Sequence, residues 1–445
     1  MTNLSLKIKN SSFSKYPAYK DSGVDWIGKI PEEWESQKLA SFGRFSKGGG
    51  FSKADLSQEG VPAVLYGDIY TRYNISIQSI DRFVPEKIAV NAIAGLPNDL
   101  LFTGSGETLD EIGKCVDCAT SKPLVIGGDV IIFRQSLCNP RFLSYIQNSN
   151  RIAIEKAKSS KGEIVVHTYA SKLRELRVPI PPKPEQTSIA NFLDEKTVKI
   201  DEAIRQKQRM IELLHERKQI IIQNAVTKGL DPNLPMKDSG IEWIGKIPAH
   251  WEVKRGKFLF FESDERSGTG DEELLSVSHI SGVTPRSEKD VNMFLAEDYS
   301  GSKLCHAGDV VYNIMWAWMG ALGVSPCTGI VSPSYGVYRQ RTETFDDQYL
   351  EWLLQSLRFC EYYNKVSTGL HSSRLRFYSH MFMNMFIGFP PLKEQRIIVG
   401  FVTKNSERID SAILETEQQI EKLKEYRATL IDSAVTGKIN VSSYE

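Results

Sequence analysis

The stretch KDSGVDWIGKIPEEWE, residues 20–35, returns almost unchanged at residues 237–252 as KDSGIEWIGKIPAHWE. Two further echoes follow in the same order: PPKPEQ at 181–186 recurs as PPLKEQ at 390–395, and AVTKG from Ala225 recurs as AVTGK from Ala434. What lies between the matching blocks hardly matches. A chain that repeats its frame and varies its contents reads as two equivalent holders presenting two different surfaces.

The echoes divide the chain into a polar leader, a variable block of roughly 36–180, a helical block of 182–229, a second variable block of 253–389 and a second helical block of 391–437. In the variable blocks, apolar stretches at 61–65, 129–133 and 308–312 predict strands, and Gly48–Gly50 predicts a turn. Faint correspondences link Asn98-Asp99-Leu100-Leu101 with Gly308-Asp309-Val310-Val311, and Arg141–Ser144 with Gln348–Glu351. The two blocks therefore read as one mixed α/β fold carrying two surfaces.

The helical blocks carry a seam. Leu193, Ile200, Ile204, Lys207, Ile211, Leu214, Lys218, Ile221 and Ala225 step by seven, then by alternating fours and threes, the spacing of a coiled coil. At a constant offset of 209 the seam recurs as Val402, Ile409, Ile413, Thr416, Ile420, Leu423, Arg427, Leu430 and Ala434, polar interruptions included. Charged residues such as Glu202, Arg205, Arg209, Glu212, Glu415, Glu417, Glu421 and Lys424 fill the positions between, so a lone helix would leave its apolar stripe wet. Each helix needs a partner. An antiparallel pairing of the two lets the chain return without a long crossover; the alternative is that each folds back on its own variable block. Pro181, Pro182, Pro184 and Pro390-Pro391 suit helix starts, and Gly229 and Gly437 suit helix ends. Roughly 40 residues at 1.5 Å each predict a rod of about 60 Å with the variable domains at opposite ends.

Composition excludes several classes. At 445 residues, 41% hydrophobic and 25% charged, the chain has the make-up of a soluble protein of two or more domains. The leader MTNLSLKIKNSSFSKY lacks the apolar core of a signal peptide, and the longest apolar run, 310–324, is broken by Asn313 and too short to span a bilayer, so a cytoplasmic location is expected. Lys plus Arg and Asp plus Glu both number 55, so any nucleic-acid face must be local. The first variable block has 18 Lys and Arg against 14 Asp and Glu, the second 13 against 16. The second must therefore concentrate its positive charge to bind an anion. Of six cysteines only Cys115 and Cys118 are close, with no second pair or clustered His to complete a zinc site, so ordinary packing is expected.

Taken together, WIGKIPEEWE and WIGKIPAHWE, each followed by a variable domain, PP-x-x-EQ and a long helix ending in AVT, resemble the specificity subunits of type I restriction-modification enzymes over nearly the whole chain. The resemblance implies an α+β protein: two target-recognition domains joined by two long helices that pair as an antiparallel coiled coil, with a pseudo-twofold internal repeat. It implies a leader at 1–19, a first recognition domain with its WIGKIP anchor at 20–180, a spacer helix at 181–229, a linker, anchor and second recognition domain at 230–389, and a second spacer helix with tail at 390–445. Each domain would read one half of a bipartite site in double-stranded DNA, while the helix pair sets the gap and docks two methyltransferase subunits. Such a chain is non-catalytic. S-adenosylmethionine, and ATP with Mg where a restriction (translocase) subunit joins, are expected on partners, with no cofactor or metal on this chain and no membrane contact.

The residues give little reason to look for chemistry here. Asn139-Pro140-Arg141-Phe142 and Ser332-Pro333-Ser334-Tyr335 approach the tetrapeptide with which amino-methyltransferases hold a flipped adenine, but both lack the second proline and read as turns. No Gly-rich loop after a strand offers a methyl-donor site, and no phosphate-binding G-x-x-x-x-G-K-S/T occurs. His167, His279, His306 and His371 stand without carboxylates or cysteines at ligand spacing.

For DNA contact, local basic and hydroxyl clusters are the candidates. In the first domain these are Lys47 and Lys53 around Gly48–Gly50, then a run from Lys156 through Lys158, Ser159, Lys161 and His167 to Lys172 and Arg174. In the second, Lys365, Thr368, His371, Ser372, Arg374 and Arg376 occupy the corresponding place, just before the double proline. Trp316 and Trp318 could stack or wedge at DNA, but flanked by Met315 and Met319 they are expected in the core. Trp26 and Trp34, with their copies Trp243 and Trp251, are candidates for a domain anchor or subunit docking. The rival reading is an adaptor that does not bind DNA, in which the coiled coil spaces two protein-binding heads.

Overall fold

The structure, a computed structural model, describes residues 13–106, 112–159, 166–288, 298–369 and 374–441. It consists of two compact units, Met1–Lys207 with Gln418–Glu445, and Gln208–Glu417.

In the first unit the anchor is a hairpin, Tyr19–Asp21 paired antiparallel with Lys29–Pro31. Gly23 and Gly28 turn it at positive φ, and Asp21 Oδ1 accepts from the Gly23 N–H at 2.8 Å. Its apolar residues point inward: Ile27, Ile30 and Trp34 are at most 1% exposed. The chain then enters the variable block through strand Glu35–Lys38 and leaves it through Arg177–Ile180, and these two strands pair with each other. The block is thus hung from a two-stranded neck. Beyond the neck lies a five-stranded sheet in the order Gly43–Lys47, Val130–Gln135, Leu100–Thr103, Cys115–Cys118, Ser76–Ile77, with a four-stranded sheet beside it.

The second unit repeats the plan. Met236–Asp238 pairs with Lys246–Pro248, the neck is Glu252–Arg255 with Phe386–Phe389, and the main sheet runs Phe260–Glu262, Gly336–Gln340, Val310–Tyr312, Leu322–Val324. Even the buried ion pairs match. Arg134 forks onto Asp99 at 2.7 and 2.8 Å in the first unit, and Arg339 onto Asp309 at 2.9 Å in the second, each carboxylate almost fully buried. This equivalence explains why Asn98–Leu101 and Gly308–Val311 correspond in sequence.

Each variable block also holds a pair of short helices that the sequence reading passed over: Pro140–Gln147 with Asn150–Ser159, and Asp347–Leu354 with Leu357–Val366. Asn139–Phe142 is accordingly a helix start rather than a turn. Asn139 Oδ1 accepts from the N–H groups of Arg141 and Phe142 at 3.0 and 3.1 Å, and Pro140 takes the first helical position, where no N–H is missed. Asp346 caps the equivalent helix in the same way. Ser332–Tyr335 is a turn, closed by Tyr335 N to Ser332 O at 2.9 Å.

The long helices run Lys183–Lys228 and Leu392–Val435, and both end on a glycine in the left-handed region, Gly229 at φ +78° and Gly437 at φ +71°. Their stretches pair antiparallel inside each unit. In the first, Lys207 reaches Gln419 and Asp201 reaches Arg427; in the second, Lys218 Nζ holds Asp410 at 2.7 Å. The seam is the covered face: Leu193, Ile200, Val402, Ile409, Ile413, Ile420 and Leu430 are buried, and Ile204, Ile211, Leu214, Ile221 and Leu423 half-buried. Lys218 and Arg427 are repeat equivalents, and so are their partners Asp410 and Asp201. The polar interruptions therefore sit in the seam because their long stems lie along it while their charges meet the opposite helix.

Candidate nucleic-acid interface

Two short motifs in the frame position the heads. At the first turn of each long helix, Glu185 accepts from Trp34 Nε1 at 3.0 Å and from the Tyr16 hydroxyl, while Glu394 accepts from Trp251 Nε1 at 3.2 Å and contacts His250 Nε2 at 2.6 Å. With Trp34 and Trp251 at most 1% exposed, these tryptophans join anchor to helix inside their own unit. Trp26 and Trp243 are half-buried, Trp243 stacking on Tyr362.

The next residue is a glutamine that is buried in both copies. Gln186 accepts from Asn139 N at 2.7 Å and donates to Pro181 O at 2.8 Å; Gln395 accepts from Asp346 N at 2.9 Å and donates to Thr344 O and Pro390 O at 3.0 and 2.9 Å. Each glutamine thus ties the start of a long helix to the start of a short helix of the head, Pro140–Gln147 in the first and Asp347–Leu354 in the second. The E-Q of the repeated motif is explained residue by residue.

On this scaffold the segment before the double proline is brought to one end of each main sheet. Thr168 N donates to Gly104 O at 2.9 Å in the first head, and Phe377 N to Ile314 O at 3.0 Å in the second. Both Gly104 and Ile314 lie just past an equivalent sheet strand. In the first head the same end carries Lys47: Gly48 N bonds Val130 O and Gly104 N bonds Asp129 O, so Lys47, His167 and the 104 loop adjoin. Lys47 is exposed and His167 is half-buried, its Nδ1 2.7 Å from Ser105 Oγ. In the second head, Lys365, Thr368, Arg374 and Arg376 are exposed, with Thr368 and Arg376 bridged through two backbone bonds.

Not every candidate gathers there. Lys53 is exposed in the 3-10 turn Lys53–Asp55, and Lys158 is engaged by Glu155 at 2.7 Å. Lys172 and Arg174 are exposed, but the Arg174 carbonyl accepts from Ala40 N, near the neck and away from Lys47. Ser159 ends its helix. Lys161, His371 and Ser372 lie outside the described residues. Lys156, in the same run, is 2% exposed and cannot touch a phosphate: its Nζ donates to Gly113 O and Gln147 O at 2.6 and 2.7 Å, and burial pulls its pKa down to about 8. Gly48 and Gly50 answer to packing, whereas Gly49 faces open space. A Cβ on Gly50, which has φ +93°, would lie 2.6 Å from the Ala92 backbone.

The core expectation for Trp316 is overturned. Met315, Trp316 and Met319 are 46%, 48% and 40% exposed, because Ala317 takes the inward position of their turn and leaves its neighbours facing out. Cys115 and Cys118 lie in one buried strand, and burial pushes both thiols far above their ordinary range, which makes them unreactive. Among the described residues no group of three or more His, Cys, Asp and Glu could hold a metal ion, and no helix is long and apolar enough to cross a membrane.

Comparison with known proteins places this architecture. Residues 31–213 match the type I restriction modification DNA specificity domain. Family match and relatives alike are type I restriction-modification specificity subunits. It is 24% identical to the type I restriction enzyme MjaVIII specificity subunit of Methanocaldococcus jannaschii, across 93% of this chain and 95% of that one. The MjaX specificity subunit of the same organism, named as putative, is 23% identical across 94% and 96%. In fold, the chain resembles a chain from a structure on complex assembly and conformational transition of the type I R-M system, at TM-score 0.66 and 15% identity, covering 91% and 98%. It also resembles the HsdS subunit from Thermoanaerobacter tengcongensis, at TM-score 0.53 and 16% identity, covering 92% and 98%. Specificity subunits are non-catalytic components of restriction-modification complexes.

Proposed function

We propose that the chain is a type I specificity subunit that reads a split sequence in double-stranded DNA, one half with each head, and holds two methyltransferase subunits on its repeated frame. The reading rests above all on one observation: a frame conserved down to Glu185/Glu394 and Gln186/Gln395 carries two heads whose surfaces at equivalent sheet ends differ. The recognition domains are residues 20–180 and 230–389, and the paired helices at 181–229 and 390–445 set the gap. Phosphates are held by Lys47 in the first head and by Lys365, Arg374 and Arg376 in the second, with Thr368 and His167 among the groups facing the groove. The partners carry S-adenosylmethionine and methylate adenine, and ATP with Mg enters only where a restriction subunit joins the complex. The setting is cytoplasmic.

DNA binding by the chain co-expressed with its methyltransferase, measured at several salt concentrations on specific and scrambled duplexes, tests this. Sequence-selective binding with log Kd linear in log salt is expected. Binding that is absent or blind to sequence would favour an adaptor with two protein-binding heads, and methyl-donor binding by this chain alone would favour a self-contained methyltransferase.

A further inference from the structure

The loop from Asn313 to Ala321, which joins strands Val310–Tyr312 and Leu322–Val324, is a rigid turn that pushes aromatic surface outward. Asn313 O accepts from both Trp316 N and Ala317 N at 3.0 and 2.7 Å, and Asn313 Oδ1 accepts from Met315 N at 3.0 Å. Trp316 O in turn accepts from Met319 N and Ala321 N at 2.9 and 3.2 Å. Ala317 is fully buried beneath, and Gly320 takes φ +89° where a Cβ would lie 3.1 Å from Cys360 Sγ. Above this base Trp316 stands 48% exposed, braced by Trp318, whose ring is 6.4 Å away and nearly parallel and whose Nε1 is tied to Met315 O at 2.8 Å. A side chain of this size, half in water yet fixed by its backbone, loses little entropy on being covered.

The surroundings indicate what covers it. Phe377 N bonds Ile314 O, so the segment carrying Arg374 and Arg376 enters directly beside the aromatic turn, and the helix Leu357–Val366, with Lys365 in its last turn, packs against it. An apolar ring between exposed cations suits a base flanked by phosphates, since every base has a stacking face and aromatic wedges enter base steps. We infer that Trp316 is a stacking wedge that inserts against a base step within the second half-site. The inference rests on the DNA-reading function proposed above and adds to it a residue and a mode of contact. It also sets the heads apart: in the first, the sequence between strands Leu100–Thr103 and Cys115–Cys118, GSGETLDEIGK at 104–114, contains no aromatic residue. Only one half-site would be wedged.

The test uses the full chain with its co-expressed methyltransferase subunits and duplexes of the motif recovered by methylation-sensitive sequencing, either intact or with the second half-site scrambled. Trp316→Ala is expected to weaken binding to the intact duplex roughly 10- to 100-fold, the range that loss of one stacked base implies. Trp316→Phe should stay within about threefold of wild type, and Trp316→Ala should match wild type on the scrambled duplex. A 2-aminopurine placed along the second half-site should change fluorescence with wild type and not with Trp316→Ala. Wild-type affinity of Trp316→Ala, alongside weakened binding by Lys365→Ala with Arg374→Ala, would overturn the wedge and leave the DNA-reading function standing. Loss of co-purifying methyltransferase would overturn it by making the turn a protein contact, and absence of sequence-selective binding by wild type would overturn both readings. Thermal melts of the two Trp316 variants verify that the half-exposed side chain is dispensable for folding.

Discussion

Replacing Gln395 by alanine should loosen the second head from its helix by an amount that the hydrogen bonds determine. The side chain is fully buried and serves three backbone groups: it accepts from Asp346 N and donates to Thr344 O and Pro390 O. Truncation strands all three. A buried group left unpaired costs about 1–3 kcal/mol, and partial exposure of the Asp346 and Thr344 contacts discounts two of them, so roughly 3–4 kcal/mol is expected once the small cavity is included. The repeat supplies an internal standard. Gln186 is equally buried but makes two such bonds, so Gln186→Ala should cost about 1 kcal/mol less. Because two units unfold in one chain, amide exchange followed residue by residue is the better assay than a single melt. Gln395→Ala should raise exchange in Asp347–Leu354 and the first turn of Leu392–Val435, leaving Pro140–Gln147 unchanged, and Gln186→Ala the reverse. Costs below 1 kcal/mol, or a larger cost for Gln186, would refute the view that these glutamines tie head to frame.

Three other outcomes follow from the same structure. Burial raises the Glu351 carboxyl from its ordinary 4.5 to about 7, so the folded state binds more protons than the unfolded one between those values and stability falls as pH rises through that window; Glu351→Gln should flatten a difference of at most about 3 kcal/mol in urea melts between pH 5 and 8. An unchanged pH slope would show that the carboxylate ionises freely. Matched four-residue insertions at Lys207 and Gln419, which face each other across the seam, should lengthen the pair by about 6 Å and widen the gap between half-sites by one to two base pairs without altering the bases read; an unchanged gap would refute the ruler role. Lys365→Ala with Arg374→Ala should weaken binding through the second half-site and lower the salt slope by about two, and equal loss on duplexes lacking that half-site would show that the heads are not separable.

What the sequence disclosed follows from where the physics is local or repeated. The seam of the long helices was legible because residues three and four apart share a helix face, and the glycines after each helix because only a left-handed residue ends it there. The repeat revealed that Glu185 and Gln186 matter but not what they hold, since Trp34, Asn139 and Pro181 meet them only in the fold. The short helices were missed although Asn139-Pro140 and Asp346 are recognisable caps, because their apolar faces are too short to show a period against the neighbouring strands. Lys156 and Trp316 misled in opposite directions. A lysine in a basic run is buried when two carbonyls wait for it, and a tryptophan in an apolar run is exposed when a neighbouring alanine takes the inward place in a tight turn. Burial at such positions depends on turn geometry, which neighbouring residue types do not encode.

The central claim is that one repeated frame presents two separate readers of one DNA site. Methylation-sensitive sequencing of DNA from cells with this chain, without it, and with Trp316→Ala, Lys365→Ala and Arg374→Ala combined tests it most directly. A bipartite motif with a fixed internal gap is predicted with the wild-type chain, absent without it, and altered or lost through its second half alone in the variant. An uninterrupted motif, a motif that persists without the chain, or one that changes in both halves at once would contradict it.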